Sequence, residues 1–144
     1  MTLWHKPSRR AIPYLKRAGC DHIVTLLVAH EGASEIGEAI RGAGMEWTWL
    51  PLPGRRVLLG GENASLAAAL PRLSSQLNAG QSILVHCSAG IHRTGLVAYA
   101  LLRYRGLAEE EALDLIAKMR LHTRLGLERK YLDWANQLVA RMPA

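Results

Sequence analysis

The chain has 144 residues, 49% apolar and 21% charged, a soluble globular balance about one domain long, and residues 1–144 are read as that single domain. No apolar run approaches the roughly 18 residues of a membrane-spanning helix, and the opening MTLWHKPSRR lacks the apolar stretch of a secretory signal, so the expectation is a cytoplasmic protein with no membrane partner. A formal charge of +6 favours anionic ligands such as phosphoesters, phosphoproteins or nucleic acid; it equally keeps a small protein soluble, since the basic residues form no long block.

In chain order, HIVTLLV (His22 to Val28), EWTWL (Glu46 to Leu50) and SILVHC (Ser82 to Cys87) are short runs rich in β-branched or aromatic residues, and they predict strands. Between the second and third, Leu66, Leu70, Leu73 and Leu77 recur at the helix period, with Asn63 as N-cap, Asn78-Ala79-Gly80 as the stop and a kink expected at Pro71. After Cys87 the pattern is helical. Thr94 to Arg105 ends at Gly106, and Glu109 to Arg120 opens with three glutamates and closes with Lys118 and Arg120, as the helix dipole favours. A last helix carries Leu127, Tyr131, Trp134 and Leu138 on one stripe for the core. Strands alternating with helices predict an α/β fold: a short, mainly parallel central sheet flanked by helices, with ligands bound at the carboxyl ends of the strands.

Residues 83–95, ILVHCSAGIHRTG, place a cysteine where a strand turns into a helix. Such a turn aims several backbone N–H groups into one concavity, and the helix dipole adds partial positive charge there. Ser88, Ala89 and Gly90 let the loop curl, Gly90 by admitting an unusual backbone angle, so that residues Ser88, Ala89, Gly90, Ile91, His92 and Arg93 are the candidate oxyanion cradle. Arg93 has no acidic neighbour in sequence and offers a planar fork for two oxygens of a tetrahedral anion, which a lysine would not reproduce. Cys87 at the centre would have its pKa lowered from about 8.5 into roughly 4 to 7, which makes it a nucleophile.

The segment His86-Cys87-x5-Arg93-Thr94-Gly95 resembles the active-site loop of the cysteine-dependent protein tyrosine phosphatases, in their compact dual-specificity branch. The resemblance implies that Cys87 attacks phosphorus to form a phosphocysteine, which water then hydrolyses while Arg93 holds the equatorial oxygens. It implies further that His86 orients the loop and that the Thr94 hydroxyl stabilises the departing thiolate. Neither a cofactor nor a metal is expected, and the partner would be a phosphorylated protein or a small phosphorylated substrate. The loop contains no lysine, unlike the inositol-lipid phosphatases that resemble this family, which argues against phosphoinositides.

The chain departs from that pattern at the general acid, usually an aspartate about 30 residues before the cysteine. Gly54 and Arg55 stand there instead, and no aspartate occurs between Asp21 and Asp114. Glu62 is the first candidate for the acid, with Glu31, His30 and His92 as alternatives. Arg55 and Arg56 add charge near the same loop, for a second phosphate or an acidic peptide, or simply as a solvated turn. A missing acid leaves two other readings open. One is a phosphoanhydride hydrolase acting on an RNA 5′-triphosphate, and the other is a catalytically weakened phosphate-binding module. Cys20 precedes a strand and Cys87 follows one, so no disulfide between them is expected.

Overall fold

The β-branched and aromatic runs do form strands, each somewhat shorter than its apolar run because the last residues turn out of the sheet to build loops. The computed structural model describes residues 1–54 and 63–143. In it β1 is Thr2–Trp4, β2 His22–Thr25, β3 Glu46–Trp49 and β4 Ile83–His86. All pairings are parallel, in the order β1-β4-β2-β3. The strand β1 has no counterpart in the sequence reading, because three residues are too few to show a period; it is recognisable only through its pairing with β4.

The helices are α1 (Ile12–Arg17), α2 (Ala33–Gly42), α3 (Ala64–Asn78), α4 (His92–Tyr104), α5 (Glu109–Met119), α6 (Leu121–Leu125) and α7 (Arg129–Ala140). Asn63 caps α3 as expected, its side chain accepting from the Leu66 amide at 2.8 Å. The helix continues through Pro71, which lies on its exposed face. Leu66, Leu70 and Leu73 are buried against the sheet face that also carries Val24 and Val85. The other face is covered by α1 and α2, through a smaller cluster of Ile12, Ile23, Ile36, Ile40, Met45 and Leu84. Helix α4 is enclosed, with every residue from Thr94 to Leu102 buried, and α5 and α7 complete the larger core around it. Among the described residues no helix is long and apolar enough to cross a membrane.

Registers of Trp4 with His86, Thr25 with His86 and Thr25 with Trp49 align the carboxyl ends of all four strands. The segments that follow them therefore meet at one edge of the sheet. That edge holds the loop after β4, which leads to one face of the sheet while its neighbours β1 and β2 lead to the helices on the other, the position at which open α/β sheets form a crevice.

Candidate active site

Beneath this edge Thr25 and His86 are fully buried beside the half-buried Trp47, and the hydrogen bonds among the three run in one direction. The Trp47 indole N–H donates to Thr25 Oγ1 at 2.8 Å, and Thr25 Oγ1 and His86 Nε2 are 2.8 Å apart. On the far side of the ring, His86 Nδ1 lies 3.0 Å from the Cys87 carbonyl oxygen. A carbonyl only accepts, so Nδ1 carries the proton and donates, and Nε2 accepts from the Thr25 hydroxyl. His86 is thus a neutral imidazole of defined tautomer. Burial pushes its pKa down to about 4, against the raising effect of the bond to Cys87. Its hydrogen bond fixes the peptide plane from which the next loop begins.

Cys87 is buried, and the Thr94 hydroxyl donates to its sulfur at 3.2 Å. Burial by itself pushes the thiol up; hydrogen bonds from the Thr94 hydroxyl and the Thr94 and Gly90 amides, with the charge of Arg93, outweigh it and bring the thiol below its ordinary value. Ser88 and Ala89 are exposed at the crest of the loop, and Ile91, His92 and Arg93 are half-buried as α4 begins. Gly90 has φ +71°, and a Cβ there would stand 2.2 Å from the Trp4 carbonyl oxygen, so both its conformation and its surroundings require glycine.

Arg93 is not alone. Its Nη1 and Nη2 donate to the two carboxylate oxygens of Glu31 at 2.7 and 2.8 Å, and Nη1 also donates to the Leu52 carbonyl at 3.1 Å. Glu31 follows β2 and Leu52 follows β3, so the guanidinium is oriented from two neighbouring strand ends. The bonds from Arg93 hold the Glu31 carboxyl at about 2, and the Val28 amide adds a further one at 2.8 Å. Glu31 is therefore a carboxylate fixed on the arginine. A group ionised down to that pH carries no proton to give, and its candidacy as general acid gives way to an orienting position. Sequence reading placed Glu31 near the right strand end but could not see its partner 62 residues away.

His92 Nδ1 lies 3.1 Å from the Gly126 carbonyl, and His30 is exposed on a short 3-10 turn. Glu62, with Arg55 and Arg56, lies outside the described residues. Both cysteines are free, Cys20 just before β2 at the opposite end of the sheet from Cys87. Among the described residues no group of three or more His, Cys, Asp or Glu side chains is gathered to hold a metal. Arg120 and Thr123, which no motif marks, both reach the loop: Arg120 Nη1 donates to the carbonyls of Ala89 and Gly90, and the Thr123 hydroxyl to that of Gly90.

A thiol with lowered pKa, surrounded by inward amides and an arginine fork, is chemically a nucleophile inside an anion cradle. A model of the tyrosine phosphatase family matches residues 8–114 of the chain. A protein of Arabidopsis thaliana named phosphatidylinositol 3,4,5-trisphosphate 3-phosphatase and protein-tyrosine-phosphatase PTEN1 is 38% identical over 61 residues. That match spans 40% of this chain and only 15% of the relative. Tk-PTP in its active form superposes with a TM-score of 0.75 at 24% identity, over 96% of this chain and 90% of that one. PTPMT1 gives 0.76 at 22%, over 96% and 88%, and kinase associated phosphatase 0.74 at 20%, over 93% and 79%. At these identities the superpositions show a shared fold.

Proposed function

Because the chain belongs to the tyrosine phosphatase family, we propose that it hydrolyses phosphomonoesters through a phosphocysteine on Cys87, with phosphotyrosine in proteins as the leading substrate and phosphoserine or phosphothreonine as further ones. The observation that carries this reading is the Cys87 sulfur, lowered in pKa and bonded by Thr94, in a loop that ends on the oriented guanidinium of Arg93. In the first step the thiolate forms an S–P bond as the P–O bond to the leaving group breaks, and Arg93 with the loop amides takes up the charge on the equatorial oxygens. In the second, water forms a new P–O bond, the S–P bond breaks, and the returning thiolate is met by the Thr94 hydroxyl. Phosphate leaves, the water proton is released, and the cysteine is restored. His86 touches no reacting atom; it fixes the peptide that carries Cys87.

Phosphoanhydrides are the second reading, and one observation favours it. Glu31 is held ionised by Arg93, so the described carboxylate nearest the arginine does not protonate a leaving oxygen. A pyrophosphate leaving group needs little protonation, whereas a poor leaving group without an acid is slowed by about 10² to 10⁴. Lipid phosphates are the third substrate class to separate: the Arabidopsis thaliana relative is named for one, and PTPMT1 has been crystallised with PI(5)P.

The deciding measurement is phosphate release by the wild type and Cys87→Ser from five substrates. These are an aryl phosphate, phosphotyrosine and phosphoserine peptides, a phosphoinositide and RNA bearing a 5′-triphosphate. The expected order is aryl phosphate, then phosphotyrosine, with the serine variant inactive on all. Preference for the triphosphate or the lipid replaces the leading substrate with that class. Phosphate binding without turnover on any of them makes the chain a binding module.

A further inference from the structure

An anion cradle needs its amides turned inward, so its carbonyls point outward and must be satisfied elsewhere. Three of the loop's carbonyls are satisfied by three donors from two other segments. The Lys6 amide donates to the Ser88 carbonyl at 2.9 Å. Arg120 Nη1 donates to Ala89 at 2.8 Å and to Gly90 at 2.7 Å, and the Thr123 hydroxyl donates to Gly90 at 2.6 Å. These donors sit on the segment after β1 and on the turn between α5 and α7, well apart in sequence from the loop that they brace.

Arg120 is itself held. Its guanidinium carbon lies 5.3 Å over the Trp4 ring, and no carboxylate pairs with it among the described residues. The Trp4 carbonyl presses on Gly90 from the same side. A Cβ at residue 90 would meet that oxygen at 2.2 Å and the Arg120 Nη1 at 2.4 Å. The loop is thus packed between the backbone of β1 and a guanidinium stacked on the side chain of the same residue. A guanidinium suits this place because one planar group can stack on an indole and still donate along its edge to two carbonyls.

We propose that Arg120, oriented by Trp4, is a positioning residue for the reaction, holding the phosphate loop in its anion-binding form from outside the site. The proposal rests on the phosphatase reading above. Arg120 touches the loop's carbonyl side, so it acts through Ala89 and Gly90 and not on the phosphoryl group. Without it the Ala89 carbonyl loses its donor and the Gly90 carbonyl keeps only that of Thr123, so the peptide planes are less firmly held and the adjoining amides can turn away from the sulfur.

Iodoacetamide alkylation of Cys87 across pH, its protection by vanadate and inorganic phosphate, and kcat and KM on an aryl phosphate provide the test, with melting temperature measured alongside. In Arg120→Ala the pH midpoint of alkylation is expected to rise by about one unit and oxyanion protection to weaken about tenfold or more. kcat/KM should fall by a similar factor for good and poor leaving groups alike. Arg120→Lys should recover part of the loss, since an ammonium reaches a carbonyl without stacking as well, and Trp4→Leu should fall between wild type and Arg120→Ala. A folded Arg120→Ala protein with unchanged alkylation midpoint and oxyanion protection overturns the proposal and leaves Arg120 a brace of the fold. If that variant does not fold, unchanged oxyanion protection in both Arg120→Lys and Trp4→Leu overturns it in the same way. A wild type that neither phosphate nor vanadate protects fails earlier, and overturns the phosphatase reading and this proposal together.

Discussion

At the residue scale the instructive pair is Arg93 and Glu31. In the proposed reaction the Arg93 fork grips the phosphoryl group, and the bidentate carboxylate holds that fork in one orientation. Glu31→Gln keeps the size and one acceptor but loses the charge, so kcat/KM should fall about tenfold to a hundredfold by loss of charge-assisted bonds. The loss should be equal for phosphotyrosine and for an activated aryl phosphate. A proton donor would give the opposite signature, a loss confined to the poorer leaving group. A steepened leaving-group dependence in Glu31→Gln would therefore restore Glu31 as the acid and remove the orienting role. Cys87, Arg93 and Thr94 were legible because their chemistry is compressed into eight residues whose order is itself the signal. Arg120 and Trp4 were not, and Glu31 was visible only as a candidate acid without its bond to Arg93, because each meets the loop only through the fold.

Elements were legible where they are long or strongly periodic. The leucines of α3 fall as the period requires, and so do Tyr131, buried, and Trp134 and Leu138, half-buried, on α7; Leu127 is buried too, but it precedes that helix, which begins only at Arg129. The shorter pieces escaped. Helix α6 has five residues, with Leu121 and Leu125 exposed, so nothing in its apolar pattern announces it; the bond from Thr123 to Gly90 gives it its place. Between α4, α5 and α7 the core encloses a polar junction. The Tyr99 hydroxyl lies 3.0 Å from Glu109 Oε2 and from Asn136 Oδ1, and Arg103 donates to the same Asn136 oxygen at 2.9 Å. Tyr99 is fully buried, so Tyr99→Phe removes a donor without opening a cavity. Urea unfolding should then show a loss of about 1 to 2 kcal/mol, the worth of a hydrogen bond to a charged or buried acceptor. An unchanged midpoint would mean that Arg103 and water satisfy Asn136 and Glu109 by themselves.

For the whole molecule, parallel strands deliver one segment each to a single edge, and a neutral histidine lies buried there at the end of β4. That burial has a thermodynamic consequence. His86 titrates at about 4 in the folded protein and near its ordinary 6.5 when unfolded, so between those values the unfolded chain binds the extra proton. The stability tied to neutral His86 is present in full above pH 6.5 and is lost as pH falls through the folded value. A depression of that size corresponds to about 3 kcal/mol, a large share of the roughly 5 to 15 kcal/mol of a small domain. His22, also buried and also lowered by desolvation, pulls in the same direction. Glu31 acts later, since its contribution holds above the usual carboxylate range and is lost only as pH falls toward 2. Urea unfolding at pH 7, 5.5 and 4 should therefore show a loss that is already under way at pH 5.5, above the usual carboxylate range. His86→Asn should cost stability at pH 7, where the Thr25 bond is weakened, yet flatten the decline below it. A variant that loses stability with acid as steeply as the wild type would place the acid-sensitive group elsewhere, and His22→Asn would be the next variant to measure.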